Sequence, residues 1–252
     1  MAAADFFLVI PAFREAQRLP VFLGSLKTLL SAAKFSTEIL IVDDGSPRAE
    51  QQELRAALSI GTFGKCRVLE PLFFPENHGK GYAISEGWKR AEDAAWVGFV
   101  DADGGAPAEE VVRLLEWAAS CPLQPPPCLW ASRIRMLGRK TNRTQGRYLL
   151  GRLFANIAGA MIKLPVYDTQ CGLKLVPAVH YQKIAPLLKE ERFCFDIELL
   201  LAVQHAAAPV MEVPIDWRDV PGGHVHALRD GFAMLRRLAV IRRRAWKWPR
   251  IT

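Results

Sequence analysis

The stretch WVGFVDAD, residues 96–103, decides the fold of this 252-residue chain. Its first five residues form an unbroken apolar run, which predicts a strand that is buried on both faces of a sheet. Two acidic residues, Asp101 and Asp103, follow at the point where the strand ends. Because open α/β sheets bind ligands at the carboxyl ends of their strands, we expect both carboxylates to lie at a ligand site.

Two earlier segments repeat the pattern of an apolar strand that ends in polar residues. Residues 6–10 are apolar and stop at Pro11, and residues 38–42 lead into Asp43 and Asp44. Apolar residues at helical spacing, or a Pro at a helix start, predict helices at residues 15–33, 49–58, 80–93 and from 108 onward, with a weaker strand at 67–69. Strand and helix therefore alternate four times, which predicts an α/β fold with a single, mostly parallel, Rossmann-like sheet flanked by helices.

The second half of the chain is less regular. Its patterns predict strands at residues 128–132 and 170–176 and helices at residues 146–163, 195–206 and 229–248, after a Pro-rich loop at residues 121–128. No linker-like stretch divides the chain, so we predict one domain over residues 1–252.

The composition indicates a folded chain without metal-binding cysteines. Half of the residues are hydrophobic and 23% are charged, which is typical of a globular protein. The five cysteines include no CxxC pair, so we expect reduced thiols. Residues 1–5 lack the basic region of a secretory signal, and no run of about 18 apolar residues occurs. These features predict a cytoplasmic chain without a membrane-spanning helix.

The net charge of +7 is concentrated in two segments. Residues 118–166 contain eight Lys or Arg and no Asp or Glu, and residues 229–252 contain eight Lys or Arg against Asp230 alone. Two basic segments on an otherwise acidic body predict a surface that faces anions. The alternative is that both segments are ordinary solvated helix faces.

The paired acids at the two strand ends suggest a site for a nucleotide sugar. Asp101 and Asp103 offer the carboxylate oxygens that Mg²⁺ and Mn²⁺ prefer, and such a cation would stabilise a diphosphate leaving group. Asp43 and Asp44 could accept hydrogen bonds from a base or a ribose. Since Asp also caps helices and stabilises turns, a structural role is the alternative for both pairs.

The segment NHGKG, residues 77–81, indicates an anion site at the start of a helix. Its glycines allow the backbone to approach an anion, and Lys80 adds a positive charge. The segment is not a P-loop, because Gly81 stands where Ser or Thr would follow the lysine. A Rossmann fingerprint is also excluded, because the first strand leads into Pro11 and Ala12 and not into glycines.

Taken together and in this order, the motifs resemble those of the family 2 glycosyltransferases, which have the GT-A fold. The segments that carry the resemblance are residues 9–15, 41–46, 77–81 and 101–104. Beyond residue 130 the chain is similar to a narrower group, the dolichyl- and polyprenyl-phosphate sugar synthases, at residues 132–133, 168–175, 195–200 and 212–217. Residues 101–104 and 168–175 are most similar to the dolichyl-phosphate β-glucosyltransferases, and the resemblance extends from about residue 6 to residue 246.

The resemblance implies a single glycosyltransferase domain with three parts. These are a nucleotide-sugar-binding half at about residues 5–120, an acceptor half at about 121–228 and a basic amphipathic helix at 229–252. The residues that would bind the donor nucleotide are Pro11, Phe13, Glu15, Asp43, Asp44, Lys80 and Asp101. Asp101 and Asp103 would bind Mg²⁺ or Mn²⁺. Dolichyl-phosphate mannose synthases carry a metal-binding Gln where this chain has Gly105, so the metal would depend more on water and on donor phosphate.

The resemblance also implies which residues act on the acceptor. Arg133 and Arg147 would face phosphate groups and, with Asp168, are the candidates for catalysis. Further candidates for acceptor or phosphate binding are Arg139, Arg143, Arg152 and His224. A polyprenyl phosphate has its second ionisation near pH ~6, so it needs no base to become a nucleophile. We therefore expect Asp168 to orient an Arg or the sugar, and we expect in-line attack that inverts the anomeric carbon.

The function favoured by the resemblance is the transfer of glucose from UDP-glucose to a polyprenyl or dolichyl phosphate. The predicted helices at residues 146–163 and 229–248 place basic residues opposite apolar ones. This pattern predicts peripheral binding to an anionic membrane surface at the cytoplasmic face, with a membrane protein as a further candidate partner. The alternative is that these helices pack on the core of the protein.

Other functions stay open at this point. A GDP-mannose donor or a soluble hydroxyl acceptor would suit the same motifs. A processive polysaccharide synthase would carry a QxxRW motif and membrane helices, and the sequence has neither. A nucleic-acid-binding protein or a non-catalytic nucleotide-binding protein is disfavoured by the acidic remainder of the chain and by the acids at the strand ends.

Overall fold

The computed structural model describes residues 3–142, 165–220 and 227–249, with side chains from residue 236 onward in the last range. The predicted helix at residues 146–163 lies outside the described residues. So do four of the candidate site residues, namely Arg143, Arg147, Arg152 and His224.

Nine strands of the described residues form one sheet. Numbered in chain order, they are β1 (Phe6–Ala12), β2 (Thr37–Asp43), β3 (Gly61–Phe63), β4 (Cys66–Val68), β5 (Leu72–Phe73), β6 (Trp96–Val100), β7 (Cys128–Ser132), β9 (Leu173–Pro177) and β10 (Val210–Pro214). Their order across the sheet is β10-β7-β9-β6-β1-β2-β4-β3, and β5 pairs with β2. Two further strands, β8 (Thr141–Asn142) and β11 (Trp217–Arg218), pair with each other in parallel.

The large sheet is mixed but mostly parallel. The pairs β1–β2, β1–β6, β2–β4, β2–β5 and β7–β10 are parallel, and β3 is antiparallel to β4. Strand β9 is antiparallel to both of its neighbours, β6 and β7. Its first residue, Leu173, therefore lies beside Val100, the last residue of β6. The predicted α/β class with a mostly parallel sheet is confirmed.

Helices cover both faces of this sheet. In chain order the α-helices are α1 (Leu19–Ser31), α2 (Arg48–Ala57), α3 (Lys80–Trp88), α4 (Ala108–Ala119), α5 (Ala178–Ile184), α6 (Phe195–His205) and α7 (Ala227–Ala245). Alternate residues of β1 point into two cores: Leu8 packs with α1 and α4, and Val9 packs with α3 and α6. Within the described part of the chain, no helix is both long and apolar enough to cross a bilayer.

Some elements begin later than predicted because the residues before them form turns. Helix α1 begins at Leu19 and not at residue 15, since the carbonyl of Glu15 accepts hydrogen bonds from the backbone of Arg18 and Leu19. Strand β9 begins at Leu173 and not at residue 170, since the residues before it form a turn and a bend. The carbonyl of Gly172, in the bend, accepts a hydrogen bond from the backbone N–H of Asp101.

Helix α7 packs on the protein with part of its apolar side. Leu238 and Ile241 are fully buried, so this part of the predicted amphipathic helix contacts the core and not a membrane. Arg236 and Arg243 are exposed, and Trp246 is 85% exposed.

Two buried acids fix helix α7 in place. Arg237 donates to Glu190 over 2.9 Å, and Arg244 pairs with Glu198. The side chains of Glu190 and Glu198 are fully buried. Burial raises the pKa of Glu198, against hydrogen bonds from the backbone of Glu190 and Lys189 that lower it. A buried carboxylate is unfavourable without a partner of opposite charge. The two arginines of α7 therefore stabilise the buried charges of Glu190 and Glu198, and the ion pairs attach the helix to the protein.

Candidate active site

The carboxyl ends of β1, β2 and β6 meet at one edge of the sheet, as parallel strands require. The segments that follow these strands begin at Phe13, Asp44 and Asp101. Because β9 is antiparallel to β6, the residues before Leu173 reach the same edge. Most of the described candidate residues are therefore brought to one end of the sheet.

Asp43 and Asp44 hold the loops around them. The buried carboxylate of Asp43 accepts hydrogen bonds from the backbone and hydroxyl of Ser46, at 2.9 and 2.6 Å, and from Gln51 at 2.9 Å. The carboxylate of Asp44 accepts from the backbone N–H of His78 and Gly79, at 3.0 and 2.7 Å. Asp43 thus stabilises its own turn, which was the structural alternative, whereas Asp44 joins its loop to the segment before α3. Contact of either acid with a donor nucleotide stays a prediction.

Lys80, the first residue of α3, extends to the end of β6. Its Nζ lies 2.7 Å from Asp101 Oδ1 and 3.7 Å from Asp196 Oδ2. Burial lowers the pKa of Lys80, but Asp101 and then Asp196 raise it, and the net result lies above the usual lysine value. Lys80 is therefore a permanent cation between two acids.

The start of α3 is held against the loop before α6. The backbone N–H of Tyr82 donates to the carbonyl of Glu191 over 2.9 Å. A Cβ atom at Gly79 or Gly81 would lie closer than 3.0 Å to the carbonyls of Glu191 and Glu190, a separation that real Cβ atoms essentially never show. The two glycines of the NHGKG segment thus permit a close backbone contact that positions Lys80.

Glycines also make room for the two acids that follow β6. A Cβ atom at Gly172 would lie closer than 3.0 Å to the carboxylate of Asp101, so only glycine leaves that space. Asp103 accepts a hydrogen bond from the backbone N–H of Gly105 over 2.9 Å. A Cβ atom at Gly105 would lie 2.6 Å from Cζ2 of Trp217. The indole therefore fills the space that a side chain at position 105 would need.

A third acid shares the surroundings of Asp101 and Asp103. Glu15 pairs with Arg18, whose Nε lies 2.8 Å from Glu15 Oε2. Burial raises the pKa of Glu15, the arginine lowers it, and the charges of Asp103 and Asp101 raise it further. Burial also raises the pKa of Asp103, followed by the charge of Asp101. The acids therefore repel one another, which is the condition that a bound cation relieves.

The carboxylates of Asp101 and Asp103 fit a divalent cation that takes most of its ligands from water and substrate phosphate. Among the described residues, no group of three or more His, Cys, Asp or Glu has the geometry of a complete metal site. Asp101 and Asp103 offer hard carboxylate oxygens that suit Mg²⁺ or Mn²⁺, and these cations commonly keep water and substrate phosphate in their shell. The two acids are thus sufficient for a site that water and a diphosphate complete.

Asp168 is fully engaged with Arg133. Nε and Nη2 of Arg133 each lie 2.7 Å from the Asp168 carboxylate, and the backbone N–H of Arg133 donates to it over 2.9 Å. Burial raises the pKa of Asp168, but Arg133 outweighs it and holds that pKa well below the usual range. Asp168 is therefore an ionised partner of an arginine and a poor proton acceptor. Arg133 in turn stacks over Trp217, with Cζ 5.0 Å from the ring centroid.

The other described candidates have less direct positions. Pro11 and Phe13 are half-buried in the segment that ends β1, and the guanidinium of Arg14 lies 5.5 Å from the centroid of the Phe13 ring. Arg139 pairs with Glu110 over 2.9 Å, so part of its charge is already balanced within the protein.

Sequence reasoning did not assign roles to several residues that build this site. These are Arg18, which pairs with Glu15; Ser46 and Gln51, which hold Asp43; Glu212, which accepts the backbone N–H of Asp168; Lys174, which pairs with Asp196; and Arg218, which donates to the carbonyl of Gly104. The i, i+3 spacing of Glu15 and Arg18 could have suggested a pair. The contacts of Ser46 and Gln51 with Asp43 are also local, whereas those of Glu212, Lys174 and Arg218 join distant parts of the chain.

The comparisons with known sequences point to one family. Residues 7–124 match the family described as Glycosyl transferase family 2. The dolichyl-phosphate β-glucosyltransferase of Dictyostelium discoideum is 26% identical over 242 residues, which cover 93% of this chain and 73% of that protein. The human dolichyl-phosphate β-glucosyltransferase is 28% identical over 254 residues, which cover 95% of this chain and 76% of that protein.

Solved structures share the fold. Glucosyl-3-phosphoglycerate synthase from Mycobacterium tuberculosis, crystallised with Mn²⁺, UDP-glucose and phosphoglyceric acid, matches with a TM-score of 0.64 at 16% identity, covering 98% of this chain and 81% of that one. Mannosyl-3-phosphoglycerate synthase from Rubrobacter xylanophilus matches with a TM-score of 0.65 at 14% identity, covering 99% and 77%. The GT-A fold expected from the sequence is thereby confirmed. Residues 7–124 therefore form a glycosyl transferase family 2 domain, and the chain is similar to dolichyl-phosphate β-glucosyltransferases along nearly all of its length.

Proposed function

We propose that the protein transfers glucose from UDP-glucose to a dolichyl or polyprenyl phosphate, with inversion at the anomeric carbon. The similarity to dolichyl-phosphate β-glucosyltransferases over more than nine tenths of the chain supports the choice of sugar and acceptor. The structural observation that carries the proposal is the pairing of Asp168 with Arg133. A carboxylate whose pKa is held this low is a weak base, and a phosphate acceptor does not need one.

The chain's own residues position two phosphorylated molecules. Asp101 and Asp103 would hold Mg²⁺ or Mn²⁺ together with the donor diphosphate. When bound, the cation supplies Lewis-acid stabilisation of the departing diphosphate. Lys80 and Arg133 both interact with the charge of Asp101 and would place positive charge near the two phosphorylated molecules, which reduces the repulsion between donor and acceptor.

The transfer step balances without a proton. An oxygen of the acceptor phosphate forms a bond to the anomeric carbon as the bond from that carbon to the diphosphate oxygen breaks. The electron pair leaves with the nucleoside diphosphate, and in-line geometry gives a β-linked product from an α-linked donor. The protein therefore contributes alignment and charge neutralisation, which are the effects that preorganised cations supply.

We also propose that the protein acts at the cytoplasmic face of a membrane as a peripheral enzyme. Leu137 is 98% exposed and Met136 is 50% exposed, in a loop that continues from β7 beyond Arg133. The basic residues Arg135, Arg139 and Lys140 flank this apolar tip. Exposed apolar residues between basic ones suit the headgroup region of an anionic membrane, and a membrane protein partner would add to that contact.

A product analysis tests the proposal. The protein is incubated with Mn²⁺, dolichyl phosphate vesicles and labelled UDP-glucose, UDP-galactose or GDP-mannose, and lipids are then extracted. The expected result is labelled lipid from UDP-glucose alone, sensitive to EDTA. A parallel reaction with phosphoglyceric acid or a simple sugar as acceptor distinguishes the soluble-acceptor alternative. Label in that soluble product, with none in lipid, would show the acceptor assignment to be wrong.

A further inference from the structure

Four charged residues form a line from the strand end into the core. Asp101 contacts Lys80, Lys80 lies near Asp196, and Asp196 pairs with Lys174. Lys174 is fully buried and also donates to the carbonyl of Cys171. Positive and negative charges therefore alternate along this line, and its outer end is the acid expected to meet a cation.

Lys80 lies closer to Asp101 than to Asp196. Its Nζ is 2.7 Å from Asp101 Oδ1 and 3.7 Å from Asp196 Oδ2. An ordinary ammonium–carboxylate hydrogen bond is ~2.8 Å long, so a movement of about 1 Å would transfer the contact to Asp196. The ammonium also lies 4.9 Å from the centroid of the Phe99 ring, which offers a favourable surface for a cation next to this path.

A divalent cation bound at Asp101 would share that carboxylate with the lysine. Both would be positive, and both would sit on Asp101 in a partly buried site where charges are screened weakly. A short movement of the lysine side chain would relieve the conflict, because the Asp196 carboxylate faces the ammonium from 3.7 Å.

We propose that, without a metal, the Lys80 ammonium occupies the position at Asp101 that the cation would take. When the cation binds, Lys80 moves and pairs with Asp196. Asp196 is suited to this role because its two oxygens have different partners. Oδ1 is held by the fully buried Lys174, whereas Oδ2 faces Lys80. Asp196 is thus a positioning residue. It does not touch substrate, but by pairing with Lys80 it lowers the free energy that is needed to separate the lysine from Asp101. This inference rests on the proposed metal-dependent function.

The test measures Mn²⁺ binding to the protein without donor, by the electron paramagnetic resonance signal of free Mn²⁺. Four proteins are compared: the natural chain, Lys80→Met, Asp196→Asn and the double variant. Asp196→Asn is expected to weaken Mn²⁺ binding about tenfold when Lys80 is present and less than about twofold in the Lys80→Met background. Lys89→Met, which removes a lysine from the exposed end of α3, is the control and should leave the affinity unchanged.

Two different failures can be told apart. If Asp196→Asn weakens binding equally with and without Lys80, Asp196 acts only through its charge and the exchange is wrong, although metal binding stands. If the natural chain binds no Mn²⁺, or Asp101→Asn and Asp103→Asn bind it equally well, the proposed metal site fails and the inference fails with it.

A second measurement keeps the inference testable if Asp196→Asn does not fold. A crystal structure with Mn²⁺ and UDP should place Lys80 Nζ within about 3.2 Å of Asp196 and more than about 4 Å from Asp101. A lysine still bonded to Asp101 beside the bound metal would overturn the exchange.

Discussion

The carboxylate of Asp101 occupies the space that a side chain at position 172 would need, because a Cβ atom on Gly172 would lie 2.0 Å from Asp101 Oδ2. The carbonyl of Gly172 also accepts the backbone N–H of Asp101 over 2.8 Å. Asp101 is therefore held from two sides by one residue that is 71 positions away in the chain, and the absence of a side chain at position 172 is what leaves the carboxylate its space.

Replacing Gly172 by Ala is expected to displace the Asp101 carboxylate and to weaken Mn²⁺ binding by at least tenfold. The methyl group would have to occupy space that the carboxylate fills, so the acid or the turn must shift. Titration of Mn²⁺ and the Mn²⁺ dependence of transfer measure the effect. Gly24→Ala in α1 is the matched control, because its Cβ would meet nothing within 4 Å. Equal Mn²⁺ affinity in both variants would contradict this account of Gly172.

Replacing Asp168 by Asn is expected to lower the stability of the protein more than it lowers the rate of transfer. The change leaves the buried Arg133 without its ionised partner, which should lower the free energy of unfolding by roughly 3 kcal/mol. Transfer to a phosphate acceptor should remain measurable, because no proton has to be removed. Urea denaturation and turnover at saturating substrates give the two values. Asp93→Asn, at an exposed position, is the control. Complete loss of turnover with intact donor and acceptor binding would give Asp168 a direct catalytic role.

The same pair predicts how stability depends on pH. The pKa of Asp168 is lower in the folded protein than in the unfolded chain, so its ionised form favours folding. This contribution is fully present above the unfolded value of about 3.9 and is lost as pH falls through the lower folded value. The difference in unfolding free energy between the natural chain and Asp168→Asn should therefore be constant from pH 7 to 5 and should narrow below about pH 4. A difference that narrows near neutral pH would contradict the assigned cause.

Removing Arg244 is expected to destabilise the protein, because it leaves the buried Glu198 without its arginine. We expect Arg244→Met to lower the free energy of unfolding by roughly 2–3 kcal/mol. Arg243→Met removes the same charge from an exposed neighbour on the same helix and should change it by less than about 0.5 kcal/mol. Denaturant unfolding of both variants shows whether the ion pair attaches α7 to the protein or whether this face of the helix is only solvated. Similar effects of the two substitutions would show that the ion pair is not what seats α7.

Replacing Leu137 by Ser is expected to weaken binding to anionic vesicles about tenfold, since burying a leucine side chain contributes roughly 1.5 kcal/mol or more. Flotation with vesicles of phosphatidylcholine and phosphatidylserine measures the bound fraction. Leu123→Ser is the control, because Leu123 is 48% exposed but precedes β7, at the opposite edge of the sheet. Equal binding of both variants would remove the loop from the proposed membrane contact.

The sequence predicted the parallel part of the sheet because long apolar runs and the acids after them are local signals. Strand β6 and the two acids that follow it are the clearest example. Short strands such as β8 and β11, with two residues each, carry no periodic pattern and could not be found. Helix α5 was also missed, because only His180 and Ile184 of its seven residues are buried.

The candidate site was predicted as a set of residues but not as an arrangement. The motifs identified Asp101, Lys80 and Asp168, yet nothing in their spacing shows that Lys80 contacts Asp101 or that Arg133 holds Asp168. Both contacts join segments that are distant in the chain, and the second also depends on β9, whose reversed direction brings Asp168 to the end of β7. The role of Trp217 in filling the space at Gly105 was hidden for the same reason.

The reversed strand β9 also limits how this enzyme can change during evolution. It lies between β6, which leads to Asp101, and β7, which leads to Arg133, so one strand joins the predicted donor half to the predicted acceptor half. The family match ends at residue 124, but Gly172 and Asp196, which stand against Asp101 and Lys80, come after it. The two halves are therefore not interchangeable modules. A new acceptor half grafted onto the donor half would have to bring the same contacts to Asp101 and Lys80, or the nucleotide-sugar end of the site would be lost along with the old specificity.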